Sequence, residues 1–121
     1  MKNRILLLLS AIMLSLTLHA QTNISTNISS NTTLTVANSP YVVTNSIVVN
    51  AGITLTVENG VEIRFNSGVY LQVRGTLSAT GAKFTANGST TPGSWDGLYV
   101  SYESYENGSI TLDNCIVEYA S

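Results

Sequence analysis

Strict alternation of apolar and polar residues runs through the middle of the chain, in three units that each begin with a glycine. The units are GITLTV (52–57), GVEIRF (60–65) and GVYLQV (68–73), and their glycines stand eight residues apart. Every second residue is apolar, which is the period of a β-strand with one buried face. A weaker fourth unit follows, in which Gly75 comes one place early. The pattern predicts short strands joined by glycine-containing corners, as in the wall of a β-solenoid.

Two ways of pairing these strands are open. A two-residue hairpin turn at 59–60 would set the apolar face of one strand against the polar face of the next, because directly paired residues share a face. A three-residue loop ending in a left-handed glycine would restore agreement, so an antiparallel meander or sandwich is the structural alternative. A parallel coil needs no such adjustment. Three units would then make one coil of about 24 residues, with Ile53 stacked under Leu77.

Residues 1–20 follow a different pattern, that of an export signal. Lys2 and Arg4 give a basic start, an apolar run covers residues 5–18, and Ala20 supplies a small residue at the expected cleavage site. The run is too short and wrongly flanked for a membrane span. We therefore predict a signal peptide at 1–20, a secreted or cell-surface location, and no membrane span in the mature chain.

The rest of the chain is predicted to be one all-β domain. Residues 21–38 are rich in Asn, Ser and Thr, and we expect a loosely ordered segment or a first edge strand there. Residues 39–121 are expected to form the parallel coils, with polar loops at 87–94 and 101–108. No capping element follows the last predicted strand, at 116–119. We therefore expect the solenoid to be incomplete at this end and its edge to be open to self-association.

Removal of the signal leaves few charged residues and no histidine. The full chain has a formal net charge of −2, and without Lys2 and Arg4 it keeps three basic and seven acidic residues. That composition offers no basic patch for nucleic acid. The only histidine, His19, falls within the signal, so histidine-dependent nucleophiles and metal sites are excluded. The lone Cys115 is expected to be an apolar filler. The sequence favours a non-enzymatic chain without catalytic residue, metal or cofactor.

Aromatic residues beside the polar loops are the candidate ligand-binding groups. Exposed aromatic rings stack on sugars and anchor partners, so we predict contact with a polysaccharide or a cell-surface glycan. The alternative for the tryptophan is a packing role over a corner, with its N–H donating to a backbone carbonyl. The four candidates are Trp95, Tyr99, Tyr102 and Tyr105.

Several segments together resemble a known family. The GITLTV strand, the LQVRGTL step (71–77), the WDG entry (95–97) and the IVEYA close (116–120) are similar to right-handed parallel β-helix repeats. More narrowly, residues 39–121 resemble the early coils of large exported bacterial surface proteins with a pectin-lyase-like fold. The resemblance implies an all-β solenoid but no single activity, because this fold carries lyases, hydrolases, adhesins and stalks.

Two functional hypotheses follow. The first is a non-catalytic β-helix segment of a secreted or cell-surface protein, acting as a scaffold, a stalk or an adhesin-like surface that contacts carbohydrate. The second is the N-terminal coils of a polysaccharide lyase or glycoside hydrolase whose active site lies beyond residue 121. The resemblance implies that such a lyase would cluster acids around Ca²⁺. Asp96 and Asp113 stand far apart in the sequence, which favours the first hypothesis.

Overall fold

The computed structural model describes residues 20–103 and 106–121, and they form a β-solenoid of about three turns. The predicted signal peptide lies outside the described residues, except for Ala20. A short 3-10 helix covers Val36–Asn38. The strands are β1 (Thr22–Ile24), β2 (Thr32–Leu34), β3 (Tyr41–Val43), β4 (Ile47–Val49), β5 (Thr54–Val57), β6 (Glu62–Phe65), β7 (Tyr70–Val73), β8 (Thr76–Thr80), β9 (Lys83–Ala86), β10 (Gly97–Val100), β11 (Tyr102–Glu103), β12 (Glu106–Asn107), β13 (Ser109–Asp113) and β14 (Ile116–Val117).

Three sheets form the sides of the coil. The A sheet has the order β1-β3-β6-β9-β14, the B sheet β4-β7-β10, and the C sheet β2-β5-β8-β13. All strand pairs within these sheets are parallel. The chain therefore runs from A to B to C and returns to A one layer further on. The predicted parallel coil is confirmed, and the antiparallel alternative is excluded for these sheets. Among the described strands, β11 and β12 alone pair in antiparallel fashion, in a side hairpin.

The period of the coil differs from sheet to sheet: on the B sheet Ile47 pairs with Leu71, which is the predicted period, whereas the period on the C sheet is shorter. On the C sheet, Thr54 pairs with Thr76 and Leu55 pairs with Leu77, so the central coil is shorter than three full glycine-led units. The expected stacking of Ile53 under Leu77 is therefore wrong by two positions. The glycines before β5, β6 and β7 stand eight residues apart, but the corner before β8 is shorter and breaks this spacing.

A tight corner before β8 accounts for the shorter period. Only residues 74–75 join β7 to β8, whereas residues 50–53 join β4 to β5 in the coil below. A side chain at position 75 would collide with the carbonyl oxygens of Asn50 and Ile53. Gly75 thus allows the backbone to cross directly over the preceding corner and to turn within two residues.

Inward-facing residues form one continuous apolar core, as the alternation predicts. Leu55, Ile63 and Leu71 are each 2% exposed, and they occupy equivalent inward positions on the C, A and B sheets. Burial of one such side chain contributes ~1.5–3 kcal/mol, so these columns hold the coil together. The outward positions between them are partly exposed and are free to differ from sheet to sheet.

The first and last layers of the solenoid are held differently. Within residues 21–38, β1 pairs with β3 and β2 pairs with β5, while Asn27 Oδ1 accepts the N–H of Val48 at 3.0 Å. In the last layer, Ile116 and Val117 are 54% and 43% exposed.

Residues 20–103 and 106–121 include no helix of the length and apolarity needed to cross a membrane.

Candidate functional site

The outward face of the B sheet carries an open groove of about 470 Å³. The register places Gln72 of β7 beside Tyr99 of β10, and Tyr70 beside Gly97. Because Gly97 has no side chain, the position next to Tyr70 in the following layer is left open. The groove is lined by Tyr70, Gln72, Asp96, Tyr99 and Val100.

Two tyrosine rings shape this groove. The centroids of Tyr70 and Tyr99 lie 5.9 Å apart with an interplanar angle of 88°, an edge-to-face arrangement that aromatic pairs favour. The hydroxyl of Tyr99 donates to the backbone carbonyl of Asp96 at 2.8 Å, and Ser121 Oγ donates to the same oxygen at 3.1 Å. The phenol of Tyr99 is thus tethered at its tip while 48% of the residue stays exposed.

The structure separates the four candidate aromatic residues. Tyr99 lies in the groove. Trp95 is fully buried, and its indole N–H donates to the backbone carbonyl of Glu118 at 2.8 Å, so it takes the packing role given above as its alternative. Tyr105 lies outside the described residues, and for Tyr102 only the backbone, in β11, is described.

Four groove residues were not among the sequence candidates: Tyr70, Gln72, Asp96 and Val100. The alternation of β7 already places Tyr70 and Gln72 outward. Their proximity to Tyr99 depends on the pairing of β7 with β10, which skips the irregular segment 87–96. The period of the earlier coils does not predict that register.

A second groove, on the outward face of the A sheet, is lined by charged side chains. Lys83 Nζ lies 3.1 Å from Glu118 Oε1 and 4.0 Å from Glu62 Oε1. Arg64 Nη2 lies 2.7 Å from Glu62 Oε2. Thr85 Oγ1 donates to Glu118 Oε1 at 2.9 Å. Opposite charges thus alternate across three layers, and each compensates its neighbours.

The pairing on the A sheet shifts two protonation equilibria. The hydrogen bond from Lys83, then that from Thr85, lowers the pKa of Glu118, while the hydrogen bond and charge of Glu118 raise the pKa of Lys83. A lysine with a raised pKa stays protonated at neutral pH and is a poor general base. The cluster therefore suits a layer-to-layer ionic contact better than proton abstraction. Among the described residues, no three His, Cys, Asp or Glu side chains are grouped to hold a metal ion.

The chain matches no protein-family model, no curated protein and no solved structure. The parallel β-solenoid is shown by the strand pairing itself. The narrower resemblance to exported pectin-lyase-like surface proteins stays a prediction from the residues.

Proposed function

We propose that this chain is a non-catalytic β-helix segment of a secreted or cell-surface protein, and that it contacts carbohydrate through the groove on the B sheet. The observation that carries the proposal is the pair of tyrosine rings, Tyr70 and Tyr99, held at right angles in an open groove. The export part of the proposal is supported by the N-terminal sequence pattern.

The groove has the chemistry that sugar recognition requires. The face of an exposed tyrosine ring packs against the C–H groups of a pyranose, and the orientation of the ring is fixed here before a ligand arrives. Gln72 supplies both a donor and acceptors, and the carboxylate of Asp96 supplies acceptors, for the hydroxyl groups of a sugar. Because the groove is open, it suits a residue within a polysaccharide chain better than an enclosed small molecule.

Titration of the purified chain with soluble polysaccharides and their oligosaccharides, followed by calorimetry, tests this proposal. Tyr99→Ala removes one wall of the groove and should weaken binding at least tenfold. Tyr99→Phe keeps the ring but loses the hydrogen bond to Asp96, and should weaken binding less. Thr80→Ala, an exposed position on the C sheet, is the matched control and should bind as the unchanged chain does.

The ligand should be recovered unaltered after binding. An unsaturated or shortened sugar product, lost in Asp96→Ala, would contradict the non-catalytic part of the proposal. Equal binding by Tyr99→Ala and the unchanged chain would contradict the assignment of the groove.

A further inference from the structure

The outward face of the C sheet carries a two-dimensional array of hydroxyl groups. Two columns of side chains run across the four strands, and each column takes one residue from successive layers. The first column is Thr33, Thr56, Ser78 and Thr111, and the second is Thr54, Thr76 and Ser109. All seven are hydroxyl residues, five are threonines, and none carries a charge.

The array is regular in both directions. Strands in register lie roughly 4.8 Å apart, and outward residues two apart along a strand lie roughly 6.6 Å apart. Stacked layers in register also limit the twist that an isolated sheet would have. The hydroxyls therefore repeat with both spacings, over four rows in one column and three in the other.

Within the described part of the chain, these hydroxyls stand without a hydrogen-bond partner. Among residues 20–103 and 106–121, no hydrogen bond joins any of the seven side-chain oxygens to another protein group. Hydroxyls at the corners behave differently: Thr44 Oγ1 contacts the carbonyl of Ile24 at 3.5 Å and Ser39 Oγ accepts the N–H of Glu62 at 2.9 Å. The array thus presents its full hydrogen-bonding capacity to solvent.

β-propensity alone does not account for this face. Threonine is common in strands because a β-branched side chain suits the pleated surface, and that preference acts equally on all three sheets. On the strands that adjoin β5 and β8 along the chain, however, the outward residues are larger or charged. They include Glu62, Arg64 and Lys83 on the A sheet, and Tyr70 and Gln72 on the B sheet. The C sheet instead keeps neutral hydroxyl residues, threonine or serine, at every position of both columns, and the charged outward residue Asp113 lies beyond them at the end of β13.

We propose that the hydroxyl face of the C sheet binds the surface of ice. Water molecules in ice repeat at distances close to both spacings of the array, so the hydroxyls can join the crystal lattice in register. The absence of charge in the two columns favours ice as the ligand, since charged side chains hold disordered water around themselves. The β-branched threonines restrict χ1, which keeps the oxygens ordered before they meet the crystal. The inference is independent of the glycan groove, which lies on another sheet.

Growth of single ice crystals in a solution of the purified chain tests the proposal. The unchanged chain should facet the crystals and open a gap between the melting and freezing temperatures. Thr56→Lys, at the centre of the first column between Thr33 and Ser78, puts a long charged side chain into the lattice and should close that gap. Val48→Lys, an outward position on the B sheet outside the groove, is the matched control and should leave the gap unchanged.

Circular dichroism and urea unfolding establish that each variant is folded, and Thr76→Lys replaces Thr56→Lys if the latter is not. Loss of the gap in the C-sheet variant alone supports ice binding. Absence of a gap for the unchanged chain, its persistence in Thr56→Lys, or equal loss in Val48→Lys overturns it. Adsorption to crystalline cellulose or chitin that Thr56→Lys abolishes, without any effect on ice, would instead assign the face to a polysaccharide surface and overturn the proposal.

Discussion

The indole ring of Trp95 lies face to face on the ring of Phe65, with centroids 4.0 Å apart and an interplanar angle of 7°. Trp95 lies just before β10 of the B sheet, whereas Phe65 ends β6 of the A sheet one layer below. The contact therefore fastens the coil that contains β10 to the coil below it, which contains β6, at the point where the irregular segment 87–94 leaves the core. The bond from Trp95 to the carbonyl of Glu118 extends this link to the last layer.

Trp95→Ala should lower the free energy of unfolding by ~3–5 kcal/mol, the usual cost of truncating a large buried aromatic residue. Trp95→Phe should cost less, because a ring can still stack on Phe65 although the hydrogen bond to Glu118 is lost. Urea unfolding monitored by circular dichroism measures both. Equal stability of Trp95→Ala and the unchanged chain would contradict the packing role.

Neighbouring positions on one strand should respond in opposite ways to truncation. Leu71→Ala opens a cavity in the core and should cost ~2–5 kcal/mol. Gln72→Ala, the next residue on β7, points outward and should change stability by no more than roughly 0.5 kcal/mol. The two variants are matched in strand and sheet, so equal losses in urea unfolding would contradict the register of β7.

Two glycines should differ in their tolerance of alanine for different reasons. Gly75→Ala places a Cβ against the backbone carbonyls of Asn50 and Ile53, which cannot move without shifting a whole corner, and should cost roughly 2–3 kcal/mol, at the upper end of the range for overpacking. At Gly68 the φ angle is 72° and the space beside it is open, so Gly68→Ala meets only the left-handed strain of ~1–2 kcal/mol. Thermal unfolding ranks the two, and a smaller loss at Gly75 would contradict the tight corner.

Cysteine cross-linking checks the period of the coil. With Cys115 replaced by serine, the pair Thr56→Cys and Ser78→Cys lies on adjacent strands in register, within the range of Cα separations that a disulfide spans. The control pair Thr54→Cys and Ser78→Cys would be in register only if the coil had the longer period that the glycine spacing predicts. Faster oxidation of the control pair, measured by mass spectrometry, would contradict the pairing of β5 with β8.

The pair of Lys83 and Glu118 should contribute to the pH dependence of stability at both ends of the scale. The pKa of Glu118 is lowered from 4.5 on folding, so its contribution is present above that value and is lost as the pH falls through the folded pKa. The pKa of Lys83 is raised from 10.5, so its contribution is present below that value and is lost as the pH rises through the folded pKa.

Both groups are solvent-accessible, and the effect should be small. Melting temperatures measured across these two pH windows should fall less steeply in Glu118→Gln than in the unchanged chain. Identical profiles for the two proteins would contradict the coupling. Glu58→Gln, which removes an exposed carboxylate next to the C sheet, is the control variant.

The sequence was sufficient to predict the sides of the coil and the direction of each side chain, because alternation with period 2 reflects local burial. It was not sufficient to predict the shorter period on the C sheet, which depends on how Gly75 meets the backbone of Asn50 and Ile53 across the preceding corner. The residues of the groove on the B sheet were likewise only partly predictable from the sequence. Tyr99 stood out as an aromatic residue beside a loop, whereas Tyr70 and Asp96 join it through a pairing that passes over an irregular segment.

The short corner at 74–75 also constrains how this solenoid can change in length. One residue inserted between Val73 and Thr76 would reverse the phase of β8, so that Ser78 would turn into the core and Leu77 would turn out to solvent. Such an insertion would therefore disrupt the apolar core and the outward face of the C sheet at the same time. Insertions and deletions in related chains should therefore gather where long segments already leave the coil, at 87–94 and 101–108, and the other corners should keep their lengths.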